Sequence, residues 1–224
     1  MSAPDSFLGR LDAGDAAALS ATGNTRDYES GDVLFREGDP GDSVVIVLAG
    51  HVKIVSTAAD GREIVLGVRG PGELLGELSA IDGAPRSGSG WALGAVRALI
   101  VPRPAFQAFL DRTPRSAAPL LEVLARRVRE ASIRQLEFGN PDTLGRVAMR
   151  LVELADRHGR ADEVGTEITL PLTQQELAEW TSLSREAVVK ALQAMRRLGW
   201  IETGRRRITV LDCEALRERA QLSV

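Results

Sequence analysis

Cysteine is almost absent from this chain of 224 residues. Cys213 is the only one, so no internal disulfide is available, and His51 and His158 are the only histidines beside it. That is too thin a set of soft ligands for a zinc or iron-sulfur centre. No metal, haem or iron-sulfur cluster is expected: a cluster needs several cysteines, while His51 on a strand and His158 at a helix end read as surface residues. Long apolar runs are also missing. No stretch of about eighteen apolar residues offers a membrane span, and Met1 to Arg10 lack the basic start and apolar core of a secretory signal. A cytoplasmic location without a membrane partner is expected. An excess of positive charge is lacking too, with 28 Lys and Arg against 31 Asp and Glu and a formal net charge of −3. This argues against coating nucleic acid through overall charge, so any DNA binding has to come from a local patch. No nucleophile–base–orienter set, Walker loop or metal-ligand spacing is present, which argues against an enzyme.

Glycine is plentiful but unevenly placed. Of 22 glycines only six follow Arg112: Gly139, Gly145, Gly159, Gly165, Gly199 and Gly204. The first half therefore turns often. Between its turns lie short runs rich in Val and Ile, Val44 to Leu48, Val52 to Val55, Glu63 to Val68 and Ala98 to Val101, which read as strands. Turn chemistry stands at Gly38-Asp39-Pro40-Gly41-Asp42, Ala49-Gly50, Asp60-Gly61 and Gly70-Pro71-Gly72. Many short strands at this spacing predict an antiparallel barrel or sandwich over residues 1–113.

From Pro114 the pattern changes. Leu121, Leu124, Val128, Ala131, Gln135 and Phe138 recur at alternating intervals of three and four, the a/d seam of a coiled coil. A central helix over 114–138 with these six residues at a dimer interface is predicted. Arg126, Arg127, Arg129, Glu130 and Arg134 fall at outward positions, so the helix is not buried on all sides. Two readings stand: a helix paired with a second copy, or an amphipathic helix lying on its own barrel. Gly139-Asn140-Pro141-Asp142 then breaks the helix, because proline disfavours helix at Asn140 and glycine permits a left-handed cap. A hinge is read over 139–142. Asp142 can cap a new helix that Gly159 stops near His158, with Leu144, Val147, Ala148, Leu151, Val152 and Ala155 on one face. This opens a second domain, 143–224.

After a short strand near Ile168 to Leu170, Thr173-Gln174-Gln175-Glu176 forms a capping box. The helix it starts ends within Trp180 to Leu183, and Ser184-Arg185-Glu186 opens another that runs through Val188, Ala191, Leu192 and Met195 to Gly199. Two helices joined by a tight turn make a helix-turn-helix. Arg185, Glu186 and Lys190 stand at the outward N-terminal end of the second helix, where they suit guanine, cytosine, and guanine or phosphate. Alone, the pair also reads as a helical hairpin with solvated charges. The sequence that follows favours DNA: Gly199 to Leu211 forms a hairpin with Arg205, Arg206 and Arg207 at its turn, a winged helix whose arginines suit phosphate contacts.

Thr173-Gln174-Gln175-Glu176-Leu177-Ala178 followed by Ser184-Arg185-Glu186-Ala187-Val188-Val189-Lys190 resembles the DNA-reading signature of the cyclic AMP receptor protein and FNR (CRP/FNR) regulators, a likeness that extends over nearly the whole chain. The turn departs from that pattern, with Ser182 where glycine is frequent, and Ala187 lacks a hydroxyl often used on phosphate. The resemblance implies an α+β chain: an N-terminal antiparallel β-roll of the cyclic-nucleotide-binding jelly-roll kind, a long dimerisation helix and a C-terminal winged helix-turn-helix. It implies contacts to double-stranded DNA from Thr173, Gln174, Ser184, Arg185, Glu186 and Lys190, a homodimer on a near-palindromic operator, and RNA polymerase as a partner. Gly72 to Ser79 followed by Ala84-Pro85-Arg86-Ser87 is similar to the family's phosphate-binding cassette. Arg86 suits a cyclic phosphate and Glu77 a ribose 2′-hydroxyl, with Gly76, Leu78 and Ser87 beside them. Ala131-Ser132 falls where the family often has Thr and Ser near the base, leaving Ser132 as the hydroxyl. Cyclic AMP is the first choice of effector. Another nucleotide, a ligand-independent regulator, and a nucleotide-sensing subunit that acts through protein partners remain as alternatives.

Overall fold

A computed structural model describes residues 5–59, 61–138, 142–170, 172–204 and 206–221, with the backbone alone for 133–138 and 221. Gly139, Asn140 and Pro141 of the expected hinge, Arg205 of the expected wing, and the side chains of Gln135 and Phe138 lie outside the described residues. Two compact units divide between Glu130 and Ala131.

The first unit opens with α1 (Ala13–Ser20). Eight strands follow: β1 (Asn24–Tyr28), β2 (Val33–Phe35), β3 (Ser43–Ala49), β4 (Val52–Thr57), β5 (Glu63–Arg69), β6 (Leu74–Leu75), β7 (Ser89–Ala92) and β8 (Val96–Pro102). A short helix, α2 (Glu77–Asp82), separates β6 from β7, and α3 (Arg103–Arg112) follows β8. The strands form two four-stranded antiparallel sheets, ordered β1-β8-β3-β6 and β2-β7-β4-β5. The four apolar runs of the sequence all fall inside strands. β3 is buried along Val44–Val47 because both of its faces are covered. Successive side chains of a strand point to opposite faces, so Val45 and Val47 join Val52, Leu75, Ala92, Val96 and Ala98 in one core. Val44 and Ile46 face a second core with Phe7, Leu19, Phe106, Phe109, Leu120 and Val123. The second core is thus capped by α1, α3 and the start of the long helix α4 (Ala117–Phe138).

The outward set expected on α4 needs correction. Leu120 and Val123 are buried against the roll, and further along the same face Arg127 and Glu130 turn inward to ion pairs. Spacings of three and four define this second face as well as the seam. The seam residues Leu121 and Val128 are 64% and 65% exposed, Leu124 is half-buried and Ala131 is exposed. The helix lies on its own roll by one face and leaves an apolar face uncovered in the single chain.

The second unit contains α5 (Thr143–His158), β9 (Gly159–Ala161), β10 (Thr166–Ile168), α6 (Gln174–Thr181), α7 (Arg185–Arg197), β11 (Ile201–Gly204), β12 (Arg207–Val210) and α8 (Cys213–Gln221). Val147, Ala148, Leu151, Leu154 and Ala155 bury one face of α5. At Gly159 a Cβ would lie 2.1 Å from the Ala155 carbonyl oxygen, so close approach excludes larger residues, and the chain enters β9 extended. The strand expected at Ile168 to Leu170 is found at Thr166–Ile168, and the Thr169 amide carries its pairing toward α5 one residue further by donating to the His158 carbonyl at 2.8 Å. The sheet order is β11-β12-β10-β9. Gly204 pairs with Arg207, so Arg206 lies in the wing turn and Arg207 starts β12 rather than standing at the tip. Among the described residues no helix is long and apolar enough to cross a membrane.

Candidate nucleotide pocket and nucleic-acid interface

The cassette is built around one glycine. Gly76 has φ +74°, and a Cβ there would lie 1.8 Å from Nη1 of Arg86. Only glycine combines that left-handed backbone with so close an approach. Arg86 crosses the gap and is buried. Its Nη1 donates to the Gly76 carbonyl at 3.1 Å, and its Nη2 donates to the Ser43 carbonyl at 2.7 Å and to Ser43 Oγ at 3.1 Å. The guanidinium stacks 4.9 Å from the centre of the Phe35 ring, a cation–π contact. Burial lowers the Arg86 pKa, against the attraction of Asp42, Glu77 and Asp39.

Glu77, at the start of α2, is 1% exposed. Its partner is Arg127 of α4, which donates to Glu77 Oε1 and to the Leu74 carbonyl. Burial lowers the Arg127 pKa, with Glu77 opposing. The pocket between these groups is lined by Phe35, Leu75, Gly76, Leu78, Ser87 and Arg127 among others, and holds about 50 Å³ of free space, room for a few waters. Two buried polar atoms beside it have no hydrogen-bond partner among the described residues, Glu77 Oε2 and Arg86 Nε. A buried acceptor and a buried donor left unmade each cost about 1–3 kcal/mol. A ligand bearing a hydroxyl and an anion has the chemistry to match both, so the residues fit a nucleotide. Of the expected site, Gly76, Glu77, Leu78, Arg86 and Ser87 come together here, with Leu78 44% exposed and Ser87 exposed. Ser132 is exposed on the part of α4 that falls in the second unit. Arg127 escaped the sequence reading because a heptad count assigned it outward; the spacing Leu120, Val123, Arg127, Glu130 was the available signal.

In the second unit Thr173 accepts from the Glu176 amide at 3.1 Å while Glu176 accepts from the Thr173 amide at 2.7 Å, completing the capping box of α6. Ser184 caps α7 by accepting from the Ala187 amide at 3.2 Å. Val188, Ala191, Leu192 and Met195 bury the inner face of α7, which leaves Arg185, Glu186 and Lys190 exposed. The Glu186 carboxyl is held below its ordinary pKa, first by its own backbone N–H and then by Ser184, so it is an anion and an acceptor at neutral pH. An open groove joins Thr173, Gln174, Arg185, Thr203, Arg206 and Arg207. Of the expected DNA contacts, Thr173, Gln174, Arg185, Arg206 and Arg207 border this groove, whereas Ser184, Glu186 and Lys190 are exposed on α7 and its cap outside its lining. Arg206 reaches the groove from a left-handed backbone, φ +55°.

The cyclic nucleotide-binding domain family matches residues 25–113, and the Crp-like helix-turn-helix domain family matches residues 145–219. The chain is 38% identical over 205 residues to the CRP-like cAMP-activated global transcriptional regulator of Mycobacterium tuberculosis, covering 92% of each chain. The chain belongs to the CRP/FNR family of transcription regulators. The Cyclic AMP receptor protein of Thermus thermophilus is 32% identical over 85% of both chains. Among solved structures, a CRP-family regulator from Thermus thermophilus superposes with a TM-score of 0.72 at 27% identity, covering 88% of this chain and 96% of that one. A c-di-GMP responsive global regulator of Xanthomonas campestris shares the fold, with a TM-score of 0.79 at 24% identity over 89% of this chain and 99% of that one. As a CRP/FNR member the chain is a DNA-binding transcription regulator and not an enzyme.

Proposed function

We propose that this regulator is a homodimer whose grip on a near-palindromic operator is set by a cyclic nucleotide, cyclic AMP first, held in the β-roll. The observation that carries the effector is the pair of buried, unpartnered atoms Glu77 Oε2 and Arg86 Nε beside one pocket. Arg86 balances the phosphate charge, Glu77 accepts from the ribose 2′-hydroxyl, and Gly76, Leu78 and Ser87 line the phosphate side. Ser132 is the hydroxyl for the base. Arg127 pairs with Glu77 Oε1 and fixes the turn of its carboxyl group. Relatives named as cAMP-activated and as a cyclic AMP receptor support the choice of nucleotide.

Dimerisation is supported by the exposed apolar seam of Leu121 and Val128, which continues in sequence through Ala131 to Gln135 and Phe138. A two-fold pair of α7 helices suits successive major grooves about 34–36 Å apart. Arg185, Glu186 and Lys190 read bases, and Arg205, Arg206 and Arg207, with Thr173, Gln174 and Ser184, hold phosphates. Residues 139–142 serve as the hinge between sensor and reader, RNA polymerase is the machinery acted upon, and the cytoplasm is where the regulator works.

A second reading has a specific observation behind it. Arg127 already neutralises Glu77 and little free space remains, as suits a regulator active without ligand. Selection of bound sequences from random DNA, with and without cyclic AMP, separates the two. A palindrome recovered only with the nucleotide supports the switch; the same palindrome at equal affinity in both arms supports ligand independence.

A further inference from the structure

The last carbonyls of a helix have no partner within it, and α6 ends against a turn that has to aim α7. Ser182 occupies that turn at φ 51° and ψ 42°, a left-handed conformation that glycine adopts freely and serine does not. Its amide donates to the Ala178 carbonyl, as does the Leu183 amide at 3.0 Å. The Thr181 hydroxyl folds back onto the Leu177 carbonyl at 2.8 Å. Ser182 Oγ is buried and makes no hydrogen bond among the described residues, so the serine side chain does not tie its own backbone down. The carbonyls of Thr181 and Ser182 are reached from another element. Arg146 of α5 donates to the Thr181 carbonyl and lies 3.4 Å from the Ser182 carbonyl oxygen. One turn further along α5, the Arg150 guanidinium lies 5.4 Å from the centre of the buried Trp180 ring. Two cations thus grip the final turn of α6, at the end where the helix dipole favours positive charge.

We propose that Arg146 is a positioning residue for DNA recognition: by holding the carbonyls of Thr181 and Ser182, it fixes the left-handed turn that aims Arg185 and Glu186. Ser182 stands only two residues before the α7 cap Ser184, so a small rotation of its backbone displaces the base-reading end of α7. Arg146 itself is half-buried and reaches the turn at two carbonyls. A contribution to affinity made through the turn carries no counterion release.

The test measures operator affinity across a range of salt concentrations, with melting temperature, for wild type, R146Q, R146K, S182G and the double variant R146Q/S182G. Amide exchange of Ser182 and Leu183 is followed in the DNA-free proteins. R146Q is expected to weaken operator binding about 10- to 100-fold with the salt slope unchanged, a range typical of lost positioning, and to speed exchange at both amides. Glycine relaxes the turn, so S182G alone stays within about threefold of wild type, and R146Q/S182G recovers most of the lost affinity. R146K keeps a donor at one carbonyl and falls between wild type and R146Q, which keeps the proposal testable where R146Q melts early. A slope reduced by about one in R146Q, without rescue by S182G, makes Arg146 a phosphate contact and overturns the proposal. Unchanged exchange at Ser182 and Leu183 in R146Q overturns it without reference to DNA.

Discussion

Arg86 illustrates how much one side chain is asked to do. It fills the space that glycine leaves at position 76, bonds two carbonyls and stacks on Phe35, yet leaves its Nε–H unused. Arg86→Gln removes the cation and should weaken cyclic AMP binding by at least 30-fold, about 2 kcal/mol or more, read by calorimetry. An unchanged affinity would remove the nucleotide from this pocket. A second arginine works at the surface. Arg115 grips Asp15 through Nε at 2.6 Å and Nη2 at 2.8 Å, and these bonds hold the Asp15 carboxyl below its ordinary pKa. A depressed folded-state pKa stabilises the fold above the unfolded value and loses that stabilisation as pH falls through the folded value. Melting of Asp15→Asn should therefore fall below wild type at pH 7, and the gap should close below about pH 4, the ordinary range for aspartate. Glu77 and Arg86 were legible in the sequence because an acid and an arginine near a glycine suit a ribose and a phosphate. Arg127 was not, since one arginine among several on a helix does not declare which face it serves.

At the scale of elements, α7 separates reading from holding. Arg185→Ala should relax base choice at one operator position at a cost of about 1–3 kcal/mol, whereas Arg206→Ala or Arg207→Ala should weaken all sequences alike and lower the salt slope by about one each. Competition binding on single-base operator variants at several salt concentrations checks this division; equal effects from both kinds of change refute it. The inner face has a different duty: Met195 is fully buried, and Met195→Ala should cost about 2–5 kcal/mol of unfolding free energy, measured by denaturant titration. On α4, Leu121→Glu with Val128→Glu should shift sedimentation from dimer to monomer, and a dimer that persists excludes the seam. The capping box and the apolar face of α7 were plain in the sequence because each rests on local spacing. β1 and β9 were hidden. Asn24–Tyr28 is mostly polar, Gly159–Ala161 is a short Gly-Arg-Ala run, and both are largely exposed; they lie at sheet edges where hydrogen-bonded neighbours, not apolar alternation, make the strand. The long helix α4 was legible, but its second face required knowing what lay beneath it.

For the whole molecule, an acidic chain that binds DNA has to concentrate its cations, and the exposed Arg185, Lys190, Arg206 and Arg207 do so within a net charge of −3. The two-part organisation was visible in the sequence as a change from glycine-rich strands to helices near Pro114, whereas the division between compact units falls later, within α4. That difference has a physical source: Leu120, Val123, Arg127 and Glu130 tie the first half of the helix to the roll, and tertiary packing is not written in local periodicity. The topology of that roll also governs its birth on the ribosome. Among the described residues β1 pairs only with β8, Asn24 to Tyr28 aligning with Ile100 to Val96, and the central strand β3 also leans on β8. At about 5–20 residues per second, the emerging N-terminal strands wait several seconds for their mate. Until then the valines of β3 are exposed to chaperones and proteases, so a nascent chain arrested before Val96 should be readily cleaved, and one arrested with β8 and α3 outside the tunnel should resist.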